Sequence, residues 1–474
     1  MSIRNSVSFY LNGVKKTVSG EKVFLPLSSY LRYELQQTGT KVVCAEGDCG
    51  ACTVMMSKNS LAQGREYFGL NSCIAMTFAM DGCNLVTVEG LQSKNGDLSE
   101  VQCSMVRNFG GQCGFCTPGF VMAITNMHEH KEKPTEQNAK NYLTGNLCRC
   151  TGYAPIIKSA LDVDKQKHIK VGDQYPVQDF SKEMSEPLHI KSEFSEIYAP
   201  LTLAEAVQYK SENPDVIIFS GSTDLGVQFN KGNIRPKKIL SLHLIPELYK
   251  CEINANTDKV FVGARVSLND LQKLVSAKIP KLDQFLNIFA SPQIKHSATL
   301  VGNLANASPI ADTTPVMMAL DAVVHLQGLK GAREVALHNF YLGYKKLNIQ
   351  QDEIITGVSF LVPTKESKFE NYKVSQRRDL DISTVNASFK FDIQQNKISA
   401  ARIVYGGVGP TTIRLNKIED EIVGESLSAD WVQSTKNKIT QSLNPLSDLR
   451  GTSDYRKILI GNLFEKFAKE QLGL

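Results

Sequence analysis

Gln112-Cys113-Gly114-Phe115-Cys116-Thr117-Pro118-Gly119, joined further along by Leu147-Cys148-Arg149-Cys150-Thr151-Gly152-Tyr153, decides how this chain is read. The four cysteines are spaced C-x2-C-x31-C-x-C. A C-x-C pair is awkward for a thioredoxin-like redox disulfide. It is also unusual for zinc, whose structural sites match C-x2-C with a second such pair or with histidines. The flanking residues predict short helices: Ser99 as a cap, Thr117-Pro118 as a cap with a first-turn proline, Thr135 as a cap, and a start near Pro155. Each cysteine pair then falls where one helix stops and another begins, so two helical hairpins present two thiolates apiece to one centre. A [2Fe-2S] cluster is the economical account of that arrangement.

A second set lies upstream. Cys44, Cys49 and Cys52 are spaced C-x4-C-x2-C with Cys73 following, which is the plant-type [2Fe-2S] ligand spacing. Three thiolates must converge on two irons while backbone amides approach the sulfurs, and Gly47 and Gly50 let the chain wrap that closely. With Cys73 in place, iron–sulfur outweighs a zinc loop. Ten of the 11 cysteines precede Thr151, a bias that metal ligation explains better than disulfides in a large chain without export features. Cys83, Cys103 and Cys251 have no partner at ligand spacing and receive no role.

Working outward, Val7 to Val18 predicts a hairpin turning at Asn12-Gly13, with a helical stretch from Leu27 to Leu35 and a closing strand from Leu85 to Val88. This is a compact α+β unit. Residues 162–192 are rich in Lys, Asp, Gln, Ser and Pro without periodicity, the composition of a linker. After it, Thr202 and Glu205 predict a capping box, and Val216 to Phe219 a buried strand ending in a tight turn. Strand-like runs at Ala387 to Phe391 and Ala401 to Val408 precede a helical tail from about Ser428. The domains expected are 1–90, 91–161, a linker at 162–192, 193–363 and 364–474. Hydrophobic content of 42%, charged content of 21% and a net charge of +5 exclude a disordered chain and give nucleic-acid binding little support. No apolar run reaches membrane-spanning length and no signal core opens the chain, so a cytoplasmic protein is expected.

No G-x-G-x-x-G follows a strand and no P-loop is present, so a nucleotide would need another phosphate device. Phe219-Ser220-Gly221-Ser222-Thr223-Asp224-Leu225 is a candidate, because a small-residue turn after a buried strand exposes amides and hydroxyls to an anion. Such a run is more often a plain tight turn. A second segment follows, from Phe289-Ala290-Ser291-Pro292-Gln293-Ile294-Lys295 through Ala298-Thr299-Leu300-Val301-Gly302-Asn303 to Ser308-Pro309-Ile310-Ala311-Asp312.

The first 160 residues resemble the iron–sulfur region of the xanthine dehydrogenase and aldehyde oxidase family of molybdenum hydroxylases, the second cysteine arrangement being the more specific sign. The later segments resemble that family's vanillyl-alcohol oxidase-like FAD domain. The resemblance implies a multidomain α+β chain: a β-grasp ferredoxin-like domain, a four-helix [2Fe-2S] domain, the FAD domain and a small α+β C-terminal domain. It implies that residues 219–225 hold the pyrophosphate, and that Thr299, Gly302, Asn303, Ser308 and Asp312 contact the flavin nucleotide. It also implies that Phe289 lies beside the isoalloxazine ring, and that Gln112 reaches toward a partner's molybdopterin. Lys373 and the run from Gln376 to Ile382 resemble the charged segment near the flavin, although Leu380 stands where animal members carry an acidic residue.

The activity implied is that of an outlet. A separate molybdopterin subunit hydroxylates hypoxanthine or xanthine, and its electrons pass through two [2Fe-2S] clusters to FAD and then NAD+. No residue of this chain is expected to be catalytic by itself. Because the chain stops after the flavin domain, a heterotetramer with two of each chain is expected, with neither nucleic acid nor membrane as partner. The alternatives are the same role in a hydroxylase for an aldehyde or N-heterocycle, a stand-alone iron–sulfur flavoprotein carrier, and a zinc-stabilised binding module.

Overall fold

The computed structural model describes residues 2–58, 61, 66–93 and 95–474. Its contacts divide the chain into two compact units, Met1–Tyr249 with Ala290–Ala298, and Lys250–Phe289 with Thr299–Leu474.

The first unit opens with the expected hairpin. Ser6–Leu11 and Val14–Ser19 pair in register from Ser6↔Ser19 to Leu11↔Val14, and both turn residues, Asn12 and Gly13, have positive φ. Two positive φ values match the right-handed twist of the strands they join. Asn84–Val86 lies parallel to the first strand and antiparallel to Thr53–Ser57, which pairs with Tyr67–Asn71 to complete a five-stranded sheet. Val7, Phe9 and Leu11 point into a core shared with Phe24, Phe78 and Phe180. Helices Glu100–Arg107, Thr117–His130, Glu136–Leu143 and Ala154–Leu161 follow. Ser99 and Thr135 cap two of them in complete capping boxes.

Thr117, expected as a cap, is instead the first helical residue. Cys116 takes the N-cap place in αR backbone and makes no side-chain cap bond. The helix therefore begins one residue early, and Pro118 still falls in its first turn.

Residues 162–192 are more than a tether. Val171–Gln174 is a helical turn, Phe180 and Met184 are buried, and Leu188–Lys191 starts the next sheet. Their polar composition reflects the exposed positions between those anchors. That second sheet of the first unit runs in the order Leu188–Lys191, Glu196–Ala199, Lys238–Ser241, Ile217–Phe219, its last three strands parallel. Thr202 caps helix Leu203–Glu212 in the expected box.

The second unit holds a five-stranded sheet ordered Cys251–Ile253, Lys259–Gly263, Ile354–Leu361, Val323–Gly328, Gly331–Ala336. A four-stranded antiparallel sheet follows, built around Val385–Gln394 and Lys397–Gly406. Helices Ala429–Ser442 and Ser453–Phe467 cover it, burying Trp431, Phe464 and Phe467 against Phe389 and Phe391. Ser428 caps the first of these helices. Among the described residues no helix is long and apolar enough to cross a membrane.

Candidate functional site

The first cysteine loop is wound by residues that occupy left-handed backbone. Ala45, Gly47 and Gly50 have φ of 54°, 75° and 67°. This winding turns the Glu46 and Cys49 amides toward the Cys44 sulfur, at 3.4 and 3.5 Å. Asn71 Nδ2 donates to the Gly47 carbonyl at 2.7 Å, and Asn230 Nδ2 donates to both the Ala45 and Cys73 carbonyls at 2.8 Å. The loop is thus tied to the segment bearing the fourth cysteine. The thiols meet as neighbours: Cys44 with Cys49 and Cys73, and Cys73 with Cys52. Those contacts hold Cys44 well below the ordinary thiol range and push Cys73 far above it.

Main chain at Gly50 and side chains at Gly47 crowd the place a Cβ would take. A Cβ on Gly50 would sit 2.3 Å from the Gly145 carbonyl oxygen, and one on Gly47 would sit 2.6 Å from Ile74 Cδ1.

The second set also comes together in pairs. Cys116, at the start of helix Thr117–His130, meets Cys148, while Cys113 meets Cys150. Burial pushes the Cys116 thiol up to about 12. Each pair lies between helices, as the spacing implies. Cys113, Cys150 and Gln112 are exposed. Among the described residues no group of three or more His, Cys, Asp or Glu side chains is set to hold a single metal ion. Pairs of thiolates, two to an iron, are the requirement of a [2Fe-2S] centre, and amides turned onto sulfur supply the donors such a centre favours. Both sets fit.

Leu147 N–H donates to the Cys49 carbonyl at 3.0 Å, so a ligand residue of one set bonds to the neighbour of Cys148 in the other.

In the first unit, strand Ile217–Phe219 runs into Ser220-Gly221-Ser222 and then helix Thr223–Asn230. Ser222 takes φ 59° and leaves the helix N-terminus without a side-chain cap, and its own buried hydroxyl has no partner among the described residues. A Cβ on Gly221 would lie 2.2 Å from the Ser297 carbonyl. Uncapped amides, an orphan hydroxyl and a glycine-only passage fit a phosphate. The same helix ends at Asn230, which ties the first cysteine loop. Its Gly226 packs so closely that a Cβ would lie 2.0 Å from the Ile74 carbonyl, next to Cys73.

In the second unit, Thr299 caps helix Leu300–Ala305 through the Gly302 amide, and Asn303 accepts from the Thr313 hydroxyl. Ser308 accepts from the Ile310 amide at 3.4 Å. Phe289 stacks on Phe285 with centroids 5.5 Å apart. Asp312 and Lys373 form an ion pair whose side chains are 6% and 2% exposed, with further donors to Asp312 from Ser383 and Asn386. Lys373 also donates to the Asp381 carbonyl and to Ser383. Residues 376–378 are exposed, and Leu380 adopts φ 57°.

Three family models match the chain: a "[2Fe-2S] binding domain" over residues 87–161, an "FAD binding domain in molybdopterin dehydrogenase" over 192–364, and a "CO dehydrogenase flavoprotein C-terminal domain" over 370–471. The chain belongs to the molybdenum hydroxylase family. Xanthine dehydrogenase of Drosophila pseudoobscura pseudoobscura is 30% identical, aligned with 97% of this chain and 38% of its own length. Xanthine dehydrogenase 1 of Arabidopsis thaliana is 29% identical, over 97% of this chain and 39% of its own. The chain therefore spans under half the length of these relatives. Among solved structures, carbon monoxide dehydrogenase from Hydrogenophaga pseudoflava matches with a TM-score of 0.55 at 23% identity, over 59% of this chain and 97% of the other. Quinoline 2-oxidoreductase from Pseudomonas putida 86 matches with 0.53 at 24%, over 59% and 96%. These likenesses establish a shared fold.

Two buried groups of this molybdenum hydroxylase chain escape sequence reading. Gln293, quoted above within the flavin-like segment, belongs to the first unit, where Nε2 donates to Asn146 Oδ1 at 2.8 Å; Asn146 in turn donates to the Gly50 carbonyl at 3.0 Å. Asp81 accepts two bonds from Arg4 and one from His243, whose other ring nitrogen pairs with Ser241. Ser241, His243 and Asp81 name a hydrolytic trio, but all three are buried, so this is a clasp and not a reaction centre. A local signal existed only for Asn146, beside the Leu147-Cys148 pair.

Proposed function

We propose that the chain is the iron–sulfur and flavin part of a xanthine dehydrogenase. It would pass electrons from a molybdopterin-binding partner subunit, which hydroxylates hypoxanthine or xanthine, through two [2Fe-2S] clusters to FAD and then NAD+. The observation that carries the reading is the Leu147 N–H to Cys49 carbonyl bond, which joins two separate groups of four cysteines. Xanthine dehydrogenases among the relatives support the purine substrate.

Cys44, Cys49, Cys52 and Cys73 hold one cluster, and Cys113, Cys116, Cys148 and Cys150 the other. When bound, the clusters would supply one-electron transfer, and FAD would supply storage for two electrons and a proton, the equivalent of the hydride that NAD+ accepts. Residues 219–225 take the pyrophosphate. Thr299, Gly302, Asn303, Ser308 and Asp312 contact the flavin nucleotide, Phe289 lies beside the ring, and Lys373 holds Asp312 in place. Helix Thr223–Asn230 runs from the phosphate turn to the first cysteine loop. That is a span of about 12 Å for eight residues. The exposed Gln112, beside exposed Cys113, faces the partner's molybdopterin. The working assembly is a cytoplasmic heterotetramer with two of each chain.

Low-temperature electron paramagnetic resonance of the dithionite-reduced chain tests this. Two distinct [2Fe-2S] signals are expected, with about four irons per polypeptide. Cys148→Ser should abolish one signal and spare the other; survival of both would dissolve the ligand grouping. Together with its partner the chain should form NADH from xanthine, and purine inactivity beside turnover of an aldehyde or N-heterocycle would move the substrate.

A further inference from the structure

The loop carrying the last two cysteines closes on itself through side chains to which sequence reading gave no role. Thr151 Oγ1 lies 3.2 Å from Cys148 Sγ, and the same oxygen accepts from the Tyr153 amide at 3.2 Å. The Tyr153 hydroxyl in turn accepts from the Cys148 amide at 3.1 Å. Tyr153 makes both bonds from left-handed backbone, φ 70°, directly after Gly152 at 68°. A bulky residue persists in that region only where its surroundings over-determine it. Here the two hydrogen bonds to residues 148 and 151 do so.

Ligation fixes the direction of the sulfur contact. A thiolate bound to iron carries no proton, so the Thr151 hydroxyl must donate to it. The Tyr153 amide already occupies one lone pair of that oxygen, which turns the O–H away from the amide. On the first loop, the Cys44 sulfur accepts from the main-chain amides of Glu46 and Cys49, which only a proline would remove. On the second, the Thr151 and Cys150 amides reach the Cys148 sulfur and a side-chain hydroxyl joins them.

We propose that Thr151 sets the reduction potential of the second iron–sulfur centre by donating its hydroxyl proton in a hydrogen bond to the Cys148 sulfur, with Tyr153 as the positioning residue that aims it. This rests on reading Cys113, Cys116, Cys148 and Cys150 as ligands of one cluster. Reduction of the centre adds one electron, supplied in the test by dithionite, and breaks no bond. The added negative charge spreads onto the ligand sulfurs, where an O–H donor stabilises the reduced form more than the oxidised one. Without the donor the centre is harder to reduce.

The test is a dye-mediated redox titration of the purified chain, followed by low-temperature paramagnetic resonance. The second centre's signal is assigned as the one lost in Cys148→Ser. Thr151→Val and Thr151→Ala should both move its midpoint to lower potential and leave the first centre's midpoint in place. Thr151→Ser, which keeps the hydroxyl, should titrate with the unchanged protein. Wild-type midpoints in both variants without the hydroxyl would overturn the proposal, as would an equal shift of both centres, since general loosening of the fold would then suffice. A single signal in the unchanged protein would instead remove the two-cluster reading, and this inference with it.

Discussion

Gly50→Ala is expected to strip the iron from the first cysteine group and lower the stability of the chain by about 2–5 kcal/mol, combining left-handed strain of ~1–2 with overpacking of ~1–3. Gly50 adopts φ 67°, a conformation that alanine enters only at a cost. The added methyl would also lie 2.3 Å from the Gly145 carbonyl oxygen and 2.4 Å from Asn146 Nδ2. The carbonyl is main chain and cannot swing aside as a side chain would. Moving it drags Leu147, whose amide holds the Cys49 carbonyl, and disturbs Asn146, which holds Gly50 itself. Relief at one point therefore opens the loop that must present Cys44, Cys49 and Cys52 together. Iron content should fall from about four per chain to about two. Gly20→Ala is the control, with φ 63° but nothing within 4 Å of the new methyl, so only the backbone cost remains. Full iron in Gly50→Ala, with an unfolding midpoint equal to that of the control, would show that the close approach is not needed.

The same residues mark what could be read from sequence and what could not. Ligand spacing is local: a thiolate centre imposes Cys44, Cys49 and Cys52 within one loop, and the structure brings them beside Cys73. Capping boxes at Ser99, Thr135 and Thr202 are local too, since the cap and its partner lie three residues apart. Thr117 failed because a cap is defined by backbone conformation, and Thr117 is already helical behind Cys116 at the N-cap. Gln293 with Asn146, and Asp81 with Arg4 and His243, join residues far apart in sequence, so no window of the chain contains both ends of either contact. The run from Gln376 to Ile382 stands out in sequence by its charges, and in the structure Arg377 and Arg378 are exposed, with Arg377 ion-paired to Asp381 at 3.6 Å.

Asp81→Asn should cost the first unit on the order of 3–5 kcal/mol, the usual penalty for removing one partner of a buried ion pair. The carboxylate is fully buried and receives Arg4 at 2.8 and 2.9 Å, the Ser8 amide at 3.0 Å and His243 at 3.2 Å. An asparagine keeps the shape but offers one acceptor oxygen and presents an NH2 group to donors, leaving the Arg4 charge uncompensated at 10% side-chain exposure. The same group governs acid stability. Burial works to raise the Asp81 carboxyl, but the hydrogen bonds from His243 and Arg4 outweigh it and leave it below the ordinary value of 3.8. A carboxyl lowered in the folded state stabilises at all pH above its unfolded value, and that stabilisation is lost as pH falls through the folded one. His296 acts earlier on the same slope. It is fully buried, donates Nδ1–H to the Gly69 carbonyl, and is lowered by burial from 6.5 to about 3. The unfolded chain takes up that proton first, so stability should decline from about pH 6.5 downward and keep declining to about pH 3. Denaturant titrations from pH 7 to pH 2 should show this slope in the wild type and a shallower one in His296→Gln. Asp81→Asn should begin from a lower value at pH 7, run parallel to the wild type while the carboxyl stays ionised in both states, and converge on it only below the ordinary carboxyl value of 3.8. Curves that stay parallel below that value would mean that the Asp81 clasp carries no net charge interaction.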